Sequence, residues 1–171
     1  MQDKLKIVVV DDIPEFANNL KKIIEKNPRV EKVWTSNDGG DAVVQIMDVE
    51  PDIAFLDMEM PKKNGLQVME AIYWYPCMDK YPKFVLLTAT CDANLYEKAR
   101  ELEFDFEIVH KPFDFERIHK CIDEFVPMEI DEDERKRKAE EEAKEIEEVR
   151  KELRMLGFLK RKPKTNRIKK K

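Results

Sequence analysis

DIAFLDMEMPKKNGLQVMEAIYW, residues 52–74, decides how the chain is read. Ile53 to Leu56 form an unbroken apolar run, the pattern of a strand buried on both faces. The run stops on Asp57, and Glu59, Pro61 and Gly65 mark a turn out of the sheet. From Gly65 the apolar spacing becomes helical, with Leu66, Val68, Met69 and Ile72 on one face. A carboxylate at the end of a buried strand has two readings. Asp is common in turns and caps, and it also serves as a nucleophile. Its neighbours in the fold have to decide.

Working outward, the same alternation recurs. Apolar runs stand at 5–10 (LKIVVV), 30–34 (VEKVW), 52–56 (DIAFL), 83–87 (KFVLL) and 106–109 (FEIV). Helical spacing fills 14–26 (Phe16, Leu20, Ile23, Ile24), 39–49 (Ala42, Val43, Ile46, Met47), 65–75, 92–103 (Leu95, Ala99, Leu102) and 114–126 (Phe115, Ile118, Ile122, Phe125). This order predicts an α/β domain, a doubly wound five-stranded parallel sheet of flavodoxin-like order 2-1-3-4-5. In such sheets the site lies outside the carboxyl ends of the strands, at the switch in strand order. There the sequence has Asp11-Asp12, Asp57, Thr88-Ala89 and Lys111-Pro112, with Thr35-Ser36-Asn37 to one side.

Each of these residues alone reads as a cap or a strand stop; together at one rim they read as a site. Close carboxylates repel one another unless a cation neutralises them. An oxygen-only donor set suits a hard ion such as Mg²⁺, which takes one or two carboxylates plus waters and a phosphate. Lys111 supplies a point charge for an anion, Thr88 a short rotatable donor, and Ala89 leaves room. Such a site needs a nucleophilic oxygen, and Asp57 can form an aspartyl phosphate.

Over residues 4–126 the sequence resembles the receiver domain of bacterial two-component response regulators. The resemblance rests on Asp11-Asp12 after IVVV, FLDMEMP…G around Asp57, LLTA with Thr88, and KPF at 111–113, in that order and at these separations. It implies that Asp57 accepts a phosphoryl group from a histidine kinase or phosphotransfer protein. Asp11, Asp12 and Asp57 would bind Mg²⁺ with the backbone carbonyl of Glu59; Lys111 and Thr88 would contact the phosphoryl oxygens beside Ala89. A cis bond would precede Pro112. Three departures stand out. Ile108 occupies a position that is commonly aromatic, with Phe106 and His110 out of register. LEFDFE (102–107) replaces a usual Gly-Ala pair, and Glu59 stands where small or amide residues are frequent. Competing readings are a receiver-like interaction module that signals without phosphorylation, and an aspartate-nucleophile phosphatase of the haloacid-dehalogenase type. The latter's motif carries a second Asp where this chain has Glu59. The chain's four glycines, Gly39, Gly40, Gly65 and Gly157, form no nucleotide-binding loop.

Charge divides the 171 residues. Residues 1–126 carry 16 Lys+Arg and 25 Asp+Glu, net −9; residues 127–171 carry 16 and 12, net +4. We therefore expect a receiver over 1–126 and a charged C-terminal helical extension with a basic tail over 127–171. In the extension, helical pairs Glu134–Lys138, Glu140–Lys144 and Glu147–Lys151 predict a helix from about 134 to 156. Its stripe is Ala139, Ala143, Ile146, Val149, Leu153 and Leu156, with Gly157 and Phe158 as a stop. A short self-associating coiled coil, a DNA-binding output through KRKPKTNRIKKK (160–171) and a plain solvated tail remain open. VRKELRMLGF (149–158) faintly resembles the opening helix of the DNA-binding domain of sporulation-type regulators. Pairing through the fourth helix, fifth strand and fifth helix is a further route to a homodimer. Cys77, Cys91 and Cys121, odd in number and without a CxxC, argue for packing residues in a reducing cytoplasm. No apolar stretch reaches the ~18–20 residues of a membrane span, so a cytoplasmic, soluble protein is expected. His110 and His119 have no triad partner at readable spacing and are expected at the surface or an edge.

Overall fold

The computed structural model describes residues 4–75, 78, 80–90 and 92–126, together with 144, 148 and 151. The elements alternate: β1 (Leu5–Val10), α1 (Pro14–Ile24), β2 (Val30–Ser36), α2 (Gly39–Val49), β3 (Ile53–Asp57), α3 (Gly65–Tyr73), β4 (Lys83–Thr88), α4 (Ala93–Glu101), β5 (Phe106–His110) and α5 (Phe115–Asp123). The strands form one five-stranded sheet of order β2-β1-β3-β4-β5, and every neighbouring pair is parallel. The predicted fold is the observed one. Strands run one or two residues past the apolar runs, because backbone pairing carries on into Ser36, Asp57, Thr88 and His110.

The near-continuous apolar strands have a simple cause. Successive side chains point to opposite faces, and both faces are covered. Ile7, Val9, Ile53, Phe55, Val85 and Leu87 join the core under α1 and α5. Val8, Val10, Ala54, Leu56, Phe84 and Leu86 join the core under α2, α3 and α4. The edge strands are less apolar, since β2 and β5 are only partly covered.

Local sequence sets the helix starts. Pro14 opens α1, Asn64 and Gln67 form a reciprocal capping box at α3, and Asp38, Asp92 and Asp114 accept backbone N–H bonds at α2, α4 and α5. One predicted core position is corrected: Phe115 is 56% exposed. It is the first residue of α5, where the helix is only beginning to turn onto the sheet, whereas Ile118, Cys121 and Ile122 lie fully buried.

The chain divides into two units, 1–127 and 128–171. In the second, residues 144, 148 and 151 are helical. The rest of the expected helix, its stripe, ion pairs and basic end lie outside the described residues, as do Cys77 and Cys91. Among the described residues no helix is long and apolar enough to cross a membrane.

Candidate functional site

Four chain segments leave the sheet at its carboxyl edge and meet. Sheet pairing continues past the strands: Asp11 N donates to Ser36 O at 3.1 Å, Met58 N to Leu87 O at 2.9 Å, and Lys111 N to Thr88 O at 2.7 Å. These bonds fix where each turn begins, and therefore where its first polar side chain points. Asp11, Asp12 and Asp57 each present a carboxylate oxygen, all within 4.8 Å of one another. Asp11 and Asp57 are buried, at 1% and 3% exposure, while Asp12 is half-buried. Lys111 Nζ reaches Asp57 Oδ1 at 3.0 Å and Asp11 Oδ2 at 3.4 Å.

Burial pushes the Asp11 carboxyl above its ordinary value, and the charge of Asp57 adds to this; the N–H of Ile13 and the Lys111 ammonium pull the other way. The Ile13 N–H donates to Oδ1 at 2.9 Å. Asp57 Oδ1 also accepts the backbone N–H of Glu59 at 3.2 Å. The Glu59 side chain is exposed. Three carboxylates face one ammonium, an imbalance of two negative charges. That imbalance and the all-oxygen donor set fit a divalent hard cation such as Mg²⁺.

Thr88 is buried at the end of β4, with Ala89 exposed beyond it. Its hydroxyl turns to Thr90: it accepts from Thr90 N at 3.1 Å and lies 3.1 Å from Thr90 Oγ1. Thr90 is thus a site neighbour that strand-end reasoning overlooked. Ile108 pairs with Leu86, two rungs before the Thr88–His110 rung. Beside it is a cavity of about 270 Å³ lined by Thr88, Thr90, Leu95, Tyr96, Ile108 and His110. Phe106 is committed elsewhere, edge-on to Tyr96 with centroids 5.6 Å apart. His110 is exposed; His119 is half-buried, its Nδ1 3.4 Å from Asn27 Nδ2.

Other residues that spacing did not single out hold the rim. Asn37 Nδ2 donates to Asp11 O at 2.8 Å. Lys62 Nζ pairs with Asp38 Oδ2 at 3.2 Å, and Gly39 lies so close beneath Lys63 that a Cβ would come 2.3 Å from its carbonyl oxygen. Together they tie the turn after β2 to the turn after β3. The Lys111–Pro112 peptide bond is cis. Cys121 is buried, and burial with the nearby Glu107 carboxylate pushes its thiol up to about 11, an inert packing role.

This geometry agrees with a family model, the response regulator receiver domain, which matches residues 7–123. The chain belongs to that family. Among solved structures, the receiver domain of the response regulator NarL from Mycobacterium tuberculosis superposes with a TM-score of 0.62 at 26% identity. It covers 70% of this chain and 94% of that one. A Vibrio cholerae chemotaxis protein superposes at 0.63 with 18% identity over 72% of this chain and 99% of its own, a likeness of fold. Curated relatives include a protein-glutamate methylesterase/protein-glutamine glutaminase of Pyrococcus horikoshii. It is 31% identical over 114 residues, 66% of this receiver chain and 30% of that protein. The corresponding protein of Vibrio vulnificus is 40% identical over 70 residues, 41% of this chain and 20% of that protein. The chain spans less than a third of the length of these relatives.

Proposed function

We propose that the receiver accepts a phosphoryl group on Asp57 from a histidine kinase or phosphotransfer protein and passes the change to its C-terminal extension. One observation carries this reading: a buried carboxylate at the end of β3 lies 3.0 Å from Lys111 and among the oxygens of Asp11 and Asp12. In the transfer, an Asp57 oxygen bonds to phosphorus as the phosphorus–nitrogen bond of the donor's phosphohistidine breaks. The electron pair stays with the imidazole, which takes up a proton. Asp11, Asp12 and Asp57, with the carbonyl of Glu59, would hold Mg²⁺, which when bound supplies charge neutralisation for the phosphoryl oxygens. Lys111 pairs with one of those oxygens, and the Thr88 hydroxyl leaves Thr90 to donate to another, beside Ala89.

Thr88 ends β4 just before the turn into α4, and Lys111 stands on the turn into α5, so the change reaches the face of α4, β5 and α5. We take 1–126 as the receiver and 127–171 as the output segment, acting in the cytoplasm by self-association, through that face or the extension, or by DNA binding through 160–171. The methylesterase and glutaminase activities in the relatives' names are those proteins' own.

The test is incubation of the full chain with Mg²⁺ and acetyl phosphate, or with beryllofluoride, read by intact mass and amide spectra. The wild type is expected to gain one phosphoryl group and Asp57→Ala none. A wild type that gains nothing overturns the proposal, as does an Asp57→Ala that gains as much.

A further inference from the structure

Lys111 has a third neighbour besides its two carboxylates. Its Nζ lies 4.8 Å from the centre of the Phe16 ring, while Asp57 Oδ1 stands at 3.0 Å and Asp11 Oδ2 at 3.4 Å. Phe16 belongs to α1, whose inward residues Ala17, Leu20 and Ile24 are fully buried. Phe16 itself is half-buried and packs against the margin of that core, where the core ends and the site begins. Its ring meets Phe113 edge-on, with centroids 6.2 Å apart and planes at 76°. Phe113 is two residues beyond Lys111, so the ring and the lysine backbone are held in one packed unit.

The physical consequence concerns where the ammonium can go. A lysine carries its charge on a flexible four-carbon stem with three rotatable donors. Two carboxylates hold it only while their charge is free to face it. Once an oxygen of Asp57 is engaged in a new bond, the ammonium has to turn from the carboxylates to a phosphoryl oxygen. An aromatic face keeps its negative quadrupole throughout. An aliphatic side chain would fill the same space and offer no such partner.

We propose that Phe16 is a positioning residue for phosphoryl transfer, its ring face holding Lys111 Nζ beside Asp57 before and after the phosphoryl group arrives. The inference rests on the phosphoacceptor reading of Asp57. It assigns to α1 a part in the chemistry that none of the strand-end motifs contains.

The experiment replaces Phe16 in the full chain by mono-, di- and trifluorinated phenylalanine, which keep the ring's shape while draining negative charge from its face. Phosphorylation by acetyl phosphate with Mg²⁺ is followed by intact mass, alongside thermal unfolding. The rate is expected to fall stepwise along the series, about two- to five-fold in all, the range for a cation–π contact at a part-exposed site. Phe16→Leu should fall as far, Phe16→Tyr should keep the wild-type rate, and the fluorinated variants should unfold at the wild-type temperature. Equal rates along the fluorinated series overturn the inference and leave Asp57 phosphorylation standing. A rate loss that tracks falling Tm instead of ring charge overturns it too. A wild type that takes up no phosphoryl group removes the phosphoacceptor reading itself, and the positioning role with it.

Discussion

Asp11 shows what burying an acid in a cluster of like charges costs the fold. Its carboxyl is raised above the ordinary 3.8, first by burial and then by Asp57. A group raised in the folded state favours folding below its unfolded value and loses that contribution as pH climbs through the folded value. At neutral pH without divalent cation, the ionised Asp11 therefore works against the fold. Asp11→Asn, which keeps an oxygen for the Ile13 N–H, is expected to raise Tm by a few degrees at pH 7. The gain should shrink toward pH 4, and stabilisation by added Mg²⁺ should be lost; paired thermal melts with and without Mg²⁺ measure both. Glu59 makes a separate prediction at this scale. Its backbone N–H binds Asp57 Oδ1 while its side chain is exposed, so a carboxylate stands two residues from the proposed phosphoryl acceptor. Glu59→Asn is expected to change the phosphoryl half-life, read by the decay of phosphorylated mass; an unchanged half-life dismisses the idea.

At the scale of elements, α5 depends on a residue far away in sequence. Arg29, in the turn before β2, donates to Ile122 O at 2.6 Å, Asp123 O at 2.7 Å and Phe125 O at 2.8 Å. Helix ends leave carbonyls without intrahelical partners, and here one guanidinium serves two of them and the Phe125 carbonyl just past the helix. Arg29→Ala should cost about 2 kcal/mol, as hydrogen bonds to a charged donor do. The expected signature is lower Tm together with faster amide exchange confined to the end of α5. The tie between the turns after β2 and β3 is steric. Gly39→Ala would put a Cβ 2.3 Å from the backbone oxygen of Lys63, too close to relieve by moving a side chain. The turn carrying Glu59 must shift, so Gly39→Ala should both slow phosphorylation and lower Tm.

Across the whole molecule, charge separates into a net −9 over 1–126 and a net +4 over 127–171. A DNA-binding output would rest on the basic end. Removing 160–171 is then expected to abolish duplex binding, and log affinity should fall linearly with log salt concentration. Binding that survives the deletion would reject that output, and a monomer mass independent of concentration would count against self-association. Sedimentation and fluorescence anisotropy, each with and without beryllofluoride, measure the two.

Most of the fold was legible in the chain itself. Apolar runs without alternation require a sheet covered on both faces, and the helical spacing between them leaves few parallel orders. The strand-end residues Asp11, Asp12, Asp57 and Lys111 could be read because one topology brings strand ends to one edge. Contacts that depend on how helices and turns lie across that edge could not. Phe16 looks in sequence like any core position of α1, yet Lys111 Nζ lies over its ring and Phe113 meets that ring edge-on. Thr88 reads as a donor waiting for an anion, yet its hydroxyl is turned to Thr90. Phe115 fits the apolar stripe and is exposed because its helix starts before it reaches the sheet. Periodicity and strand order, being properties of the backbone, determined the fold and the gathering of the acids. Which side chain faces which, across distances the sequence does not measure, only tertiary packing decided.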